Sequence, residues 1–269
     1  HLHLNTTDPQ AAIEFYTTHF ASEKGKFAGA MDAVWAQKSW ILFTKVNQPP
    51  PSEILSGLYH FGWGAEDLKA AYQKQLDMGT KFQTPISDLS DGTGWGKPGA
   101  FYYAYVDGPD HAMIEINTSA NHNFGHIHML SEDPIATGEW YIKEFGMTPR
   151  GQWPPSRQPY SYKGVQLAPS ASLMLDNVNF IIFPIGFIKT LEPKNWEDRT
   201  AFEPTQGRVM DHFGLSVDNL DETIARLKKD GVKVTSEPRA VLQGKLKIAF
   251  IEGPDRVRIE LVEGHARKE

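Results

Sequence analysis

The chain has 269 residues, a formal charge of −6 and no cysteine, and 40% of its residues are apolar. That length holds two domains of roughly 120 to 145 residues, and the composition excludes disulfides, thiolate metal sites and cysteine nucleophiles. Acids and bases are interleaved and offer no basic face to nucleic acid, while the longest apolar run, Ile181 to Ile188, is short and broken by Pro184, so no membrane span is expected.

Residues 1–6 alternate like a strand, and Asp8-Pro9 reads as an N-cap followed by proline at the first helical position. Ala12, Tyr16 and Phe20 then recur at helical spacing. Residues 31–46 read as further strands, and Pro49-Pro50-Pro51 breaks regular structure. A second strand, Tyr59 to Gly64, precedes a helix from about Asp67 to Met78 with Gly79 as its C′ residue. Strands near 101–106 and 112–117 complete the half. The second half repeats this order: a strand from His126, helices at about 133–145 and 219–230, and closing strands Lys247 to Glu252 and Arg256 to Val262.

The two halves are an internal repeat. His1, His3, Asp8, Pro9, Tyr16 and Phe20 fall on His126, His128, Asp133, Pro134, Tyr141 and Phe145. His60-Phe61-Gly62 falls on His212-Phe213-Gly214, and Gly108-Pro109-Asp110 with Glu115 falls on Gly253-Pro254-Asp255 with Glu260. The spacing places an insertion in the second half, mostly within 151–165 and 189–208. Two histidines and one glutamate on short strands, present twice, are the raw material of a metal site with open coordination positions.

On these motifs the chain resembles the vicinal oxygen chelate superfamily, which includes glyoxalases, ring-cleaving dioxygenases and bleomycin-resistance proteins. The carriers are the histidine seven residues before the helix-opening aspartate, the HFG-type second histidine, and the GPD-x4-E ending. The resemblance implies an α+β fold of two tandem domains, each of two paired βαβββ modules enclosing a metal cavity. Domain 1 would span 1–120, with modules about 1–47 and 57–118; domain 2 would span 123–265, with modules about 124–188 and 209–264. It also implies that domain 1 binds metal through His1, His60 and Glu115, and domain 2 through His126, His212 and Glu260.

His3 and His128 lie two residues past those histidines, on the same strand face, and are read as acid–base groups, substrate hydrogen bonders or the true ligands. The strands Ser39 to Lys45 and Asn179 to Phe183 contain no acid, so the second carboxylate of glyoxalase-type isomerases is missing. Two histidines and a carboxylate instead match the triad of non-haem Fe(II) oxygenases. Ring-cleaving dioxygenases of this pattern have a tyrosine ten residues before the ligand glutamate: Tyr105 stands there in domain 1 and Phe250 in domain 2. Tyr105 is read as catalytic or as a strand aromatic packing on its neighbour.

The leading expectation is therefore a divalent-metal enzyme, Fe(II) favoured over Mn(II), Zn(II) or Ni(II). It chelates adjacent oxygens of a small substrate and is ring-cleaving-dioxygenase-like. The alternatives are a glyoxalase-like isomerase or thiol transferase, and a bleomycin-resistance-type binding protein. One of the two sites is expected to work, the other being a metal-binding or silent relic. Residues 152–160, with aromatics, prolines and Arg157, are read as a lid or a surface loop, and Lys194 to Arg199 as solvated linker. A soluble monomer or homodimer is expected, cytoplasmic before periplasmic or secreted; the last two stay open because the chain begins inside a strand.

Overall fold

Each quarter of the chain opens with a strand that runs into a capped helix. The computed structural model describes residues 1–91, 96–156, 158–162 and 164–264; Trp95 and Arg157 lie outside the described residues. Module 1 comprises β1 (Leu2–Thr6), α1 (Pro9–His19), β2 (Glu23–Phe27), β3 (Met31–Ala36) and β4 (Ser39–Lys45). Asp8 caps α1 by accepting from the Gln10 and Ala11 N–H groups, with Pro9 in the first turn. Module 2 comprises β5 (Leu58–Ala65), α2 (Leu68–Asp77), β6 (Phe82–Asp88), β7 (Tyr102–Asp107) and β8 (Met113–Thr118), with Asp67 as the cap.

Module 3 comprises β9 (Phe124–Ser131), α3 (Pro134–Phe145), β10 (Thr148–Pro149), a hairpin of β11 (Tyr160–Tyr162) and β12 (Val165–Leu167), then β13 (Ala171–Leu175) and β14 (Val178–Pro184). Two short helices, α4 (Ile185–Leu191) and α5 (Pro193–Trp196), lead to module 4: β15 (Met210–Ser216), α6 (Leu220–Lys229), β16 (Lys233–Val241), β17 (Leu246–Glu252) and β18 (Arg258–Glu263). No helix among the described residues is long and apolar enough to cross a membrane.

Strands β2, β6 and β16 escape the sequence pattern because they are edge strands rich in charge and proline, as in Glu23-Lys24-Gly25-Lys26. Lys194 to Arg199 is not merely solvated linker. Trp196 is buried there, and its indole N–H donates to the Ile54 carbonyl at 3.2 Å.

The modules form two eight-stranded sheets whose order crosses the repeat. One runs β16-β17-β18-β15-β1-β4-β3-β2, joining modules 4 and 1; the other runs β10-β13-β14-β9-β5-β8-β7-β6, joining modules 3 and 2. The joins are antiparallel, β1 with β15 and β9 with β5, and set His3 opposite His212 and His128 opposite His60. Alternation along each strand sends these histidines to one face of the sheet, while Leu2, Leu4, Phe61, Phe213, Ile127 and Met129 enter the main core with the helices.

A different contact binds modules within each half. The Asp110 carboxylate accepts hydrogen bonds from Thr6 Oγ1 (2.5 Å), Thr7 N–H (3.0 Å) and Thr7 Oγ1 (2.8 Å), docking the end of module 2 on the entry to α1. Asp255 does the same for module 3, through the Glu132 N–H and Thr137. Both aspartates sit at positive φ, 51° and 56°, a region that aspartate tolerates better than most residues. Asp110→Ala is expected to lower unfolding free energy by roughly 2 to 3 kcal/mol. Urea denaturation checks this, and an unchanged midpoint would show the dock to be dispensable.

Candidate metal centres

The crossed sheets regroup the six expected ligands. His1 meets His212 and Glu260, and His126 meets His60 and Glu115. The expectation that each site bridges two modules of the same half is corrected, because module 1 pairs with module 4 and module 2 with module 3. Each cluster also includes the histidine two residues further on, so the groups are His1–His3–His212–Glu260 and His60–Glu115–His126–His128, each with its donor atoms within 4.8 Å of one another.

The HFG glycines make this meeting sterically feasible. Gly62 lies beside Glu115 on one neighbouring strand and His126 on the other. A Cβ there would come 2.2 Å from the Glu115 carbonyl oxygen and 2.6 Å from the His126 ring. At Gly214 it would come 2.0 Å from the His1 ring. The first histidine of each cluster thus lies across the space that a side chain would fill, which ties the HFG triplet to the opening histidine of the other half.

In the first cluster Glu260 Oε2 lies 2.9 Å from His1 Nε2 and 3.0 Å from His212 Nε2. In the second Glu115 Oε2 lies 2.6 Å from His60 Nε2 and 3.7 Å from His126 Nε2. The rings of His60 and His128 stack with centroids 4.2 Å apart. Buried and without a hydrogen-bond partner among the described residues are Nδ1 of His3, His60 and His128 and Nε2 of His126. Such orphaned nitrogens are costly unless something fills them. Burial holds the rings of His60 and His128 below their usual pKa and takes His3 down to about 3. Burial opposes ionisation of Glu115, but the nearby His126 and the hydrogen bond with His60 outweigh it and keep its carboxyl well below the usual range. Buried imidazoles converging on a carboxylate form a donor set that fits a divalent transition ion. His60, His126 and Glu115 would hold one, with His128 beside them, and His1, His3, His212 and Glu260 another.

The surroundings differ sharply. A cavity of about 990 Å³ opens on the second cluster, lined by Glu115, His126 and His128 together with Tyr59, Tyr103, Tyr105 and Asn179. The insertion supplies more of its wall, including Pro155, Ser156, Tyr160, Tyr162 and Leu191. Tyr105 pairs across the sheet with Glu115, its ring centroid is 4.9 Å from that of His60, and its hydroxyl is hydrogen-bonded with Tyr59. Burial raises the Tyr105 pKa well above normal, so the group stays neutral.

At the first cluster the matching space is filled. Trp40, the register equivalent of Asn179, is 2% exposed and packs with Phe27, Leu42, Ile248 and Phe250. Gly25 makes room, since a Cβ there would touch the Trp40 ring at 2.8 Å. His3 Nε2 is tied to Thr44 Oγ1 at 2.8 Å, whereas the position matching Thr44 is Phe183, whose ring meets that of His128 edge-on.

Sequence reasoning passed over Asp211, Arg258, Trp40 and Asn179. Asp211 Oδ1 lies 2.5 Å from His212 Nδ1 and accepts from the Arg258 guanidinium at 2.6 Å. The signal was present: the HFG triplet is preceded by Asp211 in one copy and by Tyr59 in the other.

Comparisons with known proteins agree with the fold. A family model described as the Glyoxalase/Bleomycin resistance protein/Dioxygenase superfamily matches residues 1–116 and 123–261. A stretch of 57 residues is 46% identical to a probable chloroplastic lactoylglutathione lyase of Arabidopsis thaliana, covering 21% of this chain and 16% of that protein. A 57-residue stretch is 44% identical to lactoylglutathione lyase of Salmonella typhimurium, covering 21% of this chain and 42% of that one. The match thus spans less than half the length of these curated relatives. The crystal structure of glyoxalase I from Zea mays is similar in fold, with a TM-score of 0.69 at 15% identity over 98% of this chain and 91% of that one.

Two outcomes follow from the geometry. Gly62→Ala should displace His126 and cost about 3 kcal/mol, because the Glu115 carbonyl cannot retreat; wild-type stability in urea would show that the ring does not need that space. The pH dependence comes from His3, His60 and His128, whose folded pKa values lie below the ordinary 6.5. Their contribution is complete above pH 6.5 and is lost as pH falls, because the unfolded rings take up protons first. Each ring lowers stability by about 1.4 kcal/mol per pH unit in that window. Urea midpoints of chelator-treated protein should drop steeply between pH 7 and 5, and a flat profile would contradict the burial of neutral rings.

Proposed function

The chain belongs to the glyoxalase/bleomycin resistance protein/dioxygenase superfamily, and on that footing we propose that it is a metal-dependent enzyme whose working centre is the His60–Glu115–His126–His128 cluster. The observation that carries this reading is the cavity of about 990 Å³, which meets that cluster and has a volume typical of small-molecule sites. The substrate class is a small molecule with adjacent oxygens. The lactoylglutathione lyase relatives favour a lyase or isomerase reaction over ring cleavage. Such a reaction moves a proton at a carbon next to a carbonyl.

A bound divalent ion would act as a Lewis acid, drawing developing charge onto the substrate oxygens. The chain's own residues do the rest. His128, kept neutral by burial, lines the cavity and has a buried nitrogen free to take a proton. Tyr105, also neutral and with its ring against His60, would donate a hydrogen bond to a substrate oxygen in place of the one it shares with Tyr59. The aromatic walls exclude water and favour a substrate with an apolar or planar body. His3 lies in the other cluster, so its proposed role is that of a ligand and not of an acid or base.

A second reading, an Fe(II)-dependent ring-cleaving dioxygenase, is favoured by Tyr105 standing against His60. It requires O₂ consumption, whereas the isomerase or lyase turns over without O₂, with Zn(II), Ni(II) or Mn(II) as the suitable ion.

Two variants test the location of the centre. Glu115→Gln should lower kcat/KM by more than roughly 100-fold, the upper end for loss of mere supporting contacts. Asn179→Trp, which copies the plug of the other sheet, should abolish turnover while the protein keeps its metal content and melting temperature. Undiminished turnover in a folded Asn179→Trp protein would move the working centre elsewhere.

A further inference from the structure

The cluster that the cavity does not reach has features suited to a different task. Four protein donors, His1, His3, His212 and Glu260, converge there. The space beside them is occupied by the ring of Trp40 and its apolar neighbours. The His1 ring meets Phe27 at 5.8 Å and the His212 ring meets Phe250 at 5.1 Å. Sites closed by protein donors are structural, whereas catalytic ones keep a position open to substrate.

Its supporting contacts are also richer. The Asp211 carboxylate, 5% exposed, receives His212 Nδ1, the Arg258 guanidinium, the Gly207 N–H at 2.6 Å and the Asn5 side-chain amide at 3.2 Å. Arg258 is itself held over the Phe250 ring at 3.8 Å. A carboxylate on the far nitrogen of a histidine fixes the ring and raises its basicity as a ligand. At the cavity cluster the residue in that position is Tyr59, and the far nitrogen of His60, Nδ1, has no partner among the described residues.

We propose that the His1–His3–His212–Glu260 cluster is a structural site for a divalent transition ion such as Zn(II), plugged by Trp40 and kept in register by Asp211, which retains its ion while the cavity cluster exchanges its own. The ion would tie β1 to β15 and β18, the seam between modules 1 and 4. Asp211 acts here as a positioning residue through His212. The division of labour rests on the cavity cluster being the working centre.

The test loads the full chain with Zn(II), removes the excess and follows zinc release into a chelator. Two equivalents per chain are expected, leaving in two phases. Glu260→Gln should remove the slow phase together with a zinc-dependent rise in melting temperature of roughly 5 to 10 °C at metal a hundredfold above Kd. Glu115→Gln should remove only the fast phase. Asp211→Asn, which keeps all four donors, should weaken the slow site by about 10- to 100-fold and leave the fast phase in place, with a lower metal-free melting temperature because the Arg258 pair is lost; this variant carries the test if Glu260→Gln fails to fold. A single phase, a slow phase lost with Glu115→Gln, or a slow phase untouched by Asp211→Asn overturns the proposal. Turnover measured in parallel separates the two readings: a Glu115→Gln protein that loses the fast equivalent but keeps its activity overturns the assignment of the working centre alone.

Discussion

Two antiparallel strand pairings, β1 with β15 and β9 with β5, determine where every chemically useful side chain ends up. An unpaired strand edge in a half-built sheet must be satisfied by another strand, and each module's opening strand finds that partner in the other half of the chain. The pairing brings the opening histidine against an HFG glycine, whose missing side chain is the space that the imidazole occupies. A glutamate on the next strand over then lies within reach. The opening histidines reach the second histidine and the glutamate only when this seam forms.

The repeat, the capped helices and the inward alternation were legible because they are local: Asp8-Pro9 and Asp133-Pro134 announce helix starts, and the motif spacings mark the four modules. All six expected ligands converge, and His3 and His128 join them. The grouping was not legible. β5 and β15 carry the same HFG triplet, so nothing in the local pattern says which one a given opening strand will meet. The grouping by half that the resemblance implied gave each opening strand the wrong partner. Trp40 and Asn179 likewise became informative only once register placed them at equivalent positions of the two sheets.

The two clusters show how far identical donor sets can diverge through what surrounds them. An indole against a carboxamide decides whether the curved face of a sheet is solid or hollow. An aspartate against a tyrosine, one residue before the histidine, decides whether that imidazole has a partner behind it. The insertion of the second half builds walls where the hollow exists, contributing Tyr160, Tyr162 and Leu191. On the proposed reading, chemistry and support fall to opposite ends of one repeat while the donor residues stay the same.

The aspartate docks and the sheet seams connect the modules in a closed circuit: docks join 1 to 2 and 3 to 4, seams join 2 to 3 and 4 to 1. A circuit of this kind imposes an order in time. As the chain leaves the ribosome, modules 2 and 3 can complete their sheet as soon as β14 is made, but β1 must keep its outer edge free until β15 appears more than 200 residues later. β1 is thus secured long after it is made, and the waiting edge is where a nascent chain of this design is most exposed to the wrong partner.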